Sequence, residues 1–250
     1  MTTTARVRTA RRSLRGRLAT TAAGRAPVLM YHAVGHAGED PFDLYVSPQR
    51  FAAQMAALAA LGLRGVSLAE LGDARGAGTD AGLVALTFDD GYRDVLEHAL
   101  PALRRHRFGA TFYAVSGLLG GANVWDPPPR RALMTADDLR RLVADGYEVG
   151  SHTVSHARLA GLPADALRHE VAYSRATLGE LLPEPPRTFC YPYGSVDDAA
   201  VRAVRDAGYT YACGVHRVAG LPERFALPRV GVTGRDHGPR LAAKLFVRGR

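Results

Sequence analysis

The sequence predicts an α/β fold, a parallel sheet closed or nearly closed into a barrel of about seven strands with helices outside it. Three observations predict it. Short apolar runs alternate with helical stretches of roughly 10–15 residues along the body of the chain, the pattern of strands joined by helical crossovers. A chain of 250 residues with 47% apolar and 22% charged residues can bury a full core as one domain. The polar residues His32, Asp89, Asp90, His152 and the Tyr191–Tyr193 turn fall at the ends of apolar runs, where parallel barrels gather their reactive groups.

The elements follow in order. Pro27 to His32 is a short apolar run with a polar tip and reads as the first strand. Ser47–Pro48 has the form of a helix N-cap followed by proline at the first helical position. Phe51, Met55, Leu58 and Leu61 then share one helical face, and Gly62 closes it. Val66 to Leu71 is a brief second element, and Arg75 to Gly82 is a glycine-rich exposed stretch. Leu83 to Phe88 is an apolar run that feeds Asp89 and Asp90, and Gly91 allows a sharp exit. A helix is expected from Asp94 to Arg107, kinked or started late by Pro101. Ala110 to Val115 is a strand, and residues 117–131 form a long loop carrying Trp125. Thr135 caps a helix through Ala144, with Asp137 and Asp138 well placed in its first turn. Tyr147 to Gly150 is a strand running into Ser151 and His152. Pro163 opens a helix to about Leu182, Arg187 to Tyr191 is a strand, and Pro192 to Gly194 is a turn. A helix over Asp197–Ala207 and strands over Tyr209–Val215 and Leu227–Val232 complete the pattern.

Charge divides the chain into three parts. Residues 1–25 hold seven arginines and no acid, and 233–250 hold four arginines and Lys244 against Asp236. The whole chain carries +8, so residues 26–232 carry −3. We expect a disordered basic leader over 1–25, a folded domain over 26–232 and a basic tail over 233–250. The positive charge lies in the flanks, so the body need not bind phosphate and nucleic acid is not an expected partner. Contact of the tails with an acidic polymer or lipid surface stays open. No run of about 18 apolar residues occurs, so no transmembrane helix is expected. Arg11–Arg12 is not followed by the hydrophobic stretch of a twin-arginine signal. With no clear signal peptide, a cytoplasmic location is favoured over export. Cys190 and Cys213 lie in apolar runs without a CxxC pattern and are expected as buried free thiols.

Two adjacent carboxylates at a strand end repel each other unless something positive sits beside them. A bound divalent cation is the usual remedy: one carboxylate ligates while its neighbour stays free to move protons. His152 and His156 are spaced for two imidazoles on one metal. The usual zinc-protease arrangement needs glutamate after the first histidine, and Thr153 stands there. With Asp90 the histidines offer two nitrogens and one oxygen and leave positions open for water and substrate, the design of a catalytic site.

Thr87–Gly91 together with His152–His156 resembles the first two signature motifs of the polysaccharide deacetylase family, also known as the NodB-homology or carbohydrate esterase family 4 domain. Cys190–Gly194 resembles the third, and the likeness spans Pro27 to Val232. The resemblance implies a distorted (β/α) barrel and metal-dependent removal of N- or O-acetyl groups from sugars. It implies Asp90, His152 and His156 as metal ligands and Asp89 as general base. It implies that Thr153 and Ser155 hold the histidine loop and that the Tyr193 N–H serves the oxyanion. It also implies a divalent cofactor, Zn2+ with Co2+, Ni2+ and Fe2+ as alternatives, and an N-acetylated glycan or amino sugar as substrate. Two departures stand out. Cys190 replaces the arginine that orients the base, and the family's late leucine-x-x-histidine motif is absent. Met30–Val34, however, looks like the early histidine strand of a subgroup similar to the poly-β-1,6-N-acetylglucosamine deacetylases. That makes His32 the expected general acid, with His216 in reserve. Trp125, Tyr113 and Tyr191 are candidates for an apolar sugar platform, with core packing the alternative for Tyr113. Two other readings are kept: a small-molecule amide or biosynthetic N-acetyl intermediate as substrate, and a non-catalytic glycan-binding module. Asp89 speaks against the second, because a binding module needs no base.

Overall fold

The run from Leu83 to Phe88 is strand β5, and all six of its residues are buried. In the computed structural model, which describes residues 25–36 and 40–247, it lies inside the main sheet with neighbours on both sides. The expected leader falls outside the described residues up to Arg25. Strand β1 (Val28–Tyr31) lies along one side of β5, in register from Val28 opposite Ala85 to Tyr31 opposite Phe88. On the other side β4 (Arg64–Val66) pairs with the first half of β5 and β6 (Thr111–Ala114) with its last two residues. The sheet continues through β7 (Glu148–Ser151), β8 (Thr188–Cys190) and β9 (Tyr211–Cys213), and every pairing is parallel. A small parallel pair, β2 (Ala33–Val34) and β3 (Tyr45–Val46), sits beyond the end of β1.

One short segment joins the two edges of this sheet. Leu227 bridges to Cys213 at the end of β9, while β10 (Val230–Gly231) pairs with Leu29 and Met30 of β1. Arg229, between them, donates its N–H to Val215 O. The result is the expected distorted barrel, drawn together by an irregular strand.

The two-residue period of a strand sorts side chains to opposite faces. Val28, Ala85, Tyr113, Cys190 and Cys213 share one buried cluster on the inner face. Leu29, Leu86, Phe88 and Phe112 belong to a second cluster on the outer face, where they meet helix α1 (Pro48–Ala60) through Phe51, Met55 and Leu58. The same alternation sends His32 and Asp89 inward just past the ends of β1 and β5.

Local signals set most boundaries as expected. Ser47 caps α1, and Thr135 and Asp138 form a reciprocal capping box at α5 (Ala136–Ala144). The brief element near Val66 is β4 followed at once by α2 (Leu68–Gly76), with Ser67 as its cap. The single helix expected over Asp94–Arg107 is two, α3 (Asp94–His98) and α4 (Leu100–His106), the break falling just before Pro101. Proline cannot donate an N–H, so it is tolerated in a helix's first turn and starts α4 there. The helix expected from Pro163 is interrupted too. It runs as α6 (Ala164–Arg168), a π turn over His169–Tyr173, and α7 (Ser174–Leu181). Helix α8 (Asp198–Asp206) is capped by Asp197.

The largest correction is at the C-terminal end. The segment expected as a basic tail carries α9 (Gly238–Val247), whose Leu241 and Leu245 are buried beside Phe51, Met55 and Leu58. Two of its basic residues, Arg240 and Lys244, are paired locally. Asp236 is fully buried, accepts from Lys244 Nζ at 2.6 Å and from Thr233 N at 2.9 Å, and has Arg240 Nε at 3.1 Å. Two of the basic residues that mark this segment as a tail by composition, Arg240 and Lys244, thus help to fix its helix.

Leu241→Ala removes a buried side chain from the seam between α1 and α9 and is expected to cost about 2–5 kcal/mol in urea unfolding. A second expectation concerns pH. Asp94 lies near Val34, Tyr45 and His98, and burial pushes its carboxyl up to about 6. The folded state therefore holds this proton to higher pH than the unfolded chain, whose carboxyl titrates near about 3.9. The stabilisation from that proton grows as pH falls through about 6 and is complete below the unfolded value. Asp94→Asn should abolish this part of the pH dependence, read as the difference between parent and variant unfolding midpoints from pH 7 to 5.

Candidate metal centre and catalytic cleft

The β5 strand ends in two carboxylates that part company within one residue. Asp89 stays extended and hydrogen-bonded to Tyr31 O through its N–H, whereas Asp90 has φ of 70° and Gly91 φ of 71°. The left-handed turn costs a non-glycine residue on the order of 1–3 kcal/mol. It aims the Asp90 side chain away from that of Asp89. Asp90 Oδ1 lies 3.4 Å from His152 Nε2 and 3.2 Å from His156 Nε2. All three groups are nearly fully buried. Three side chains separated by some sixty positions along the chain are brought together in space.

These residues fit a divalent cation. The other nitrogen of each ring is already engaged. His152 Nδ1 is 2.8 Å from Cys190 O, an acceptor only, so the ring donates there and, in its neutral form, carries its lone pair on Nε2. His156 Nδ1 is 3.1 Å from Tyr193 Oη. Burial pushes the Asp90 carboxyl up, but its hydrogen bonds to His152 and His156 pull it well below the usual carboxylate range. Two imidazole nitrogens and an ionised carboxylate converging on one point are borderline donors of the kind that hold Zn2+ and its neighbours. A second group, Asp89, His152 and Cys190, also lies close together. It is a poorer candidate, because a guanidinium already occupies its space.

That guanidinium belongs to Arg229. Its Nη1 donates to Asp89 Oδ1 at 2.6 Å and its Nη2 to Asp89 Oδ2 at 2.7 Å, a bidentate pair buried on both sides. It also donates to Thr87 Oγ1, Gly214 O and Cys190 Sγ, at 3.0, 2.8 and 3.1 Å. Burial pushes the Asp89 carboxyl up, and the Arg229 charge and hydrogen bonds, with His152 and His32, more than offset it. Asp89 is therefore ionised. An arginine thus stands beside Asp89, reached not from position 190 but from the strand that joins the sheet edges.

The loop between the two histidines has left-handed residues at Thr153 (φ 68°) and His156 (φ 65°). Thr153 Oγ1 accepts from His156 N at 2.8 Å, closing the loop on itself. Ser155 is fastened to Glu170, which accepts from Ser155 Oγ at 2.6 Å. Both residues thus hold the loop as expected.

Residues 76–212 match the family model described as polysaccharide deacetylase. The chain belongs to the polysaccharide deacetylase family. A Bacillus subtilis relative, YxkH, which carries a polysaccharide deacetylase name, is 26% identical over 215 residues, covering 84% of this chain and 72% of its own length. A chitooligosaccharide deacetylase of Sinorhizobium fredii is 32% identical over 133 residues, 52% of this chain and 56% of that protein. A poly-β-1,6-N-acetyl-D-glucosamine N-deacetylase of Staphylococcus epidermidis is 24% identical over 161 residues, 60% of this chain and 54% of that protein. The chain thus spans about half the length of these last two relatives. Among solved structures, IcaB from Ammonifex degensii superposes with a TM-score of 0.75 at 27% identity, covering 89% of this chain and 97% of that one.

In this deacetylase domain the paired carboxylates and the histidines face a cleft of about 510 Å³. Trp125, Asp126, Arg158, Tyr193 and Phe42 line its walls. Trp125 stacks on the His156 ring with centroids 4.1 Å apart, and the Arg158 guanidinium lies 3.8 Å over the Tyr193 ring. His32 also lines the cleft, with Nε2 3.9 Å from Asp89 Oδ2. His216, the reserve candidate, is exposed and outside the cleft lining. Of the platform candidates, Tyr113 takes the core-packing alternative and Tyr191 is corrected. Tyr113 is buried on the inner face, beside Cys213 Sγ at 3.4 Å. Tyr191 is also fully buried, packed on Phe189 with its O–H donated to Phe225 O, so it forms part of the wall without offering a face to a sugar.

Sequence reasoning missed Arg229 and Glu170. Both left a signal. Arg229 is a charge at an inward position of an otherwise apolar strand. Glu170 lies on the same helical stripe as Leu167, Val171 and Leu178, and a charge on an apolar stripe is rarely buried without a partner.

Arg229→Met leaves Asp89 buried with no counter-charge and is expected to destabilise the fold by about 3–5 kcal/mol in urea unfolding. Arg229→Lys supplies a point charge that cannot span both carboxylate oxygens, so its midpoint should fall between those of parent and Met variant.

Proposed function

We propose that this chain is a metal-dependent hydrolase that removes acetyl groups from N-acetylated sugars. The observation that carries the reading is the ionised Asp89–Arg229 pair set directly beside Asp90, His152 and His156. A glycan-binding module has no use for such a buried base. The names of the relatives, among them chitooligosaccharide and poly-β-1,6-N-acetyl-D-glucosamine deacetylases, support the substrate class.

Asp90, His152 and His156 would hold the cation, Zn2+ by donor chemistry, with Co2+, Ni2+ and Fe2+ as alternatives. When bound, such an ion supplies Lewis acidity and lowers the pKa of bound water. The remaining work falls to the chain's own residues. Asp89 takes a proton from the water that attacks the acetamide carbon. Arg229 keeps Asp89 ionised and fixes the direction of its oxygens. The Tyr193 N–H donates to the oxyanion, a contribution typically worth about 2.7–4 kcal/mol. His32 protonates the leaving nitrogen as the C–N bond breaks, so that acetate and a free amine depart. Trp125 offers the sugar an apolar surface beside His156.

Acetate release from N-acetylglucosamine oligomers, measured with Zn2+ present and after chelation, tests the reading. Activity should vanish on chelation and return with the ion. Asp89→Asn should bind Zn2+ yet lose about 10²–10⁴-fold in kcat. His32→Ala should lose kcat on a similar scale with little change in KM. Full turnover by Asp89→Asn removes the base assignment, and an unchanged rate in His32→Ala places the acid elsewhere.

A further inference from the structure

We propose that Glu170 is a positioning residue for the metal centre: its carboxylate holds the histidine loop in the shape that brings His152 and His156 to one point. The inference rests on reading those histidines and Asp90 as metal ligands.

Glu170 Oε2 accepts the N–H groups of both Val154 and Ser155, at 2.9 and 3.0 Å. Its Oε1 accepts the Ser155 hydroxyl at 2.6 Å. One carboxylate thus takes three donors from the two central residues of the loop. Glu170 is only 8% exposed. Among the described residues it forms no ion pair, so its charge is met by the loop's own N–H and O–H groups.

The loop needs such a hold. Thr153 and His156 both sit in left-handed conformations that side chains disfavour. Left alone, the segment would relax, and the two imidazole nitrogens would separate. Other contacts fix its far side. Ser116 N donates to Thr153 O at 3.0 Å and Gly117 N to Val154 O at 2.9 Å. Ser174, four residues after Glu170, donates its hydroxyl to Thr153 O at 3.1 Å. These contacts occupy the loop's carbonyls. Glu170 alone gathers the N–H groups of Val154 and Ser155.

The backbone supplies the reach. Glu170 lies within the π turn His169–Tyr173 between α6 and α7. The wider turn inserts a residue into the helix, and such insertions recur at functional sites. Here it presents Glu170 and Ser174 to the same loop while Leu167, Val171 and Leu178 remain buried in the core.

The test is metal affinity, read independently of turnover. Zn2+ dissociation constants are measured by competition with a chromogenic chelator on the full chain. Glu170→Gln keeps the shape but turns an N–H2 group toward loop donors, and is expected to weaken Zn2+ binding about 10–100-fold. Ser155→Ala, which removes one donor of three, should weaken it by a smaller factor. Leu241→Ala serves as the control for general destabilisation: it should lower the Tm and leave the Zn2+ constant unchanged. Glu170→Gln binding Zn2+ as tightly as the parent overturns the proposal. If that variant does not fold, Ser155→Ala decides in the same way. The visible spectrum of the Co2+-loaded protein gives a second readout, expected to change in Glu170→Gln and not in Leu241→Ala. Weakened Zn2+ binding without acetate release from any oligomer refutes the substrate reading and leaves the clamp standing. Acetate release with unaltered Zn2+ affinity in both loop variants does the reverse.

Discussion

Two negative charges on neighbouring residues have to be kept apart in a buried place. Asp89 and Asp90 are each 4% exposed, and at an effective dielectric near 20 two like charges about 4 Å apart repel by about 4 kcal/mol. The chain meets this in two different ways on the two sides of one peptide. Below, toward the barrel interior, Arg229 is a permanent counter-charge locked by Thr87, Gly214 and Cys190 as well as Asp89. Above, toward the cleft, the partners are imidazoles with lone pairs to give. The left-handed turn at Asp90 divides the two environments. One carboxylate is thereby paired with a cation that never leaves, and its neighbour with donors suited to one that binds.

Most of this was legible in the chain because local physics and tertiary need agreed. The Leu83–Phe88 run reads as a buried strand and is one, and the Thr135 and Asp197 caps start their helices where side-chain oxygens can meet free N–H groups. The residues Asp89, Asp90, His152 and His156 could be singled out because carboxylate pairs and histidine pairs carry chemistry by type and spacing. What escaped did so where the deciding contact is remote. The segment 233–247 was misread because arginine and lysine counts resemble those of a solvated tail, whereas Lys244 and Arg240 meet Asp236 and let Leu241 and Leu245 pack. Glu170 was passed over because a glutamate within a helical stretch is normally solvated. Its burial depends on a loop some fifteen residues earlier in the chain.

The interior of the barrel is more polar than its outside, and this serves the site. On the inner face Thr111 donates to Glu148 at 2.6 Å near the strand starts, Tyr113 meets Cys213 midway, and Arg229 meets Asp89 at the rim. On the outer face the same strands show Leu29, Leu86, Phe88 and Phe112 to the helices. Apolar packing outside supplies cohesion without direction. Hydrogen bonds inside supply direction, and Arg229, engaged by Thr87, Gly214 and Cys190 as well as Asp89, fixes the orientation of that carboxylate.

The exchange of Cys190 for the family's arginine follows from the same geometry. Cys190 Sγ lies 3.1 Å from Arg229 Nη2, so a long side chain at 190 would occupy the volume that the Arg229 guanidinium now fills. An arginine from β8 and one from the joining strand are therefore mutually exclusive against a single Asp89. A small residue at 190 is the condition for Arg229 to enter, and Arg229 is what keeps Asp89 ionised once the position at 190 has lost its charge. What counts is a point in space beside Asp89. Either of two strands can reach it, and a motif read position by position along one strand registers a loss where the folded chain has made a substitution.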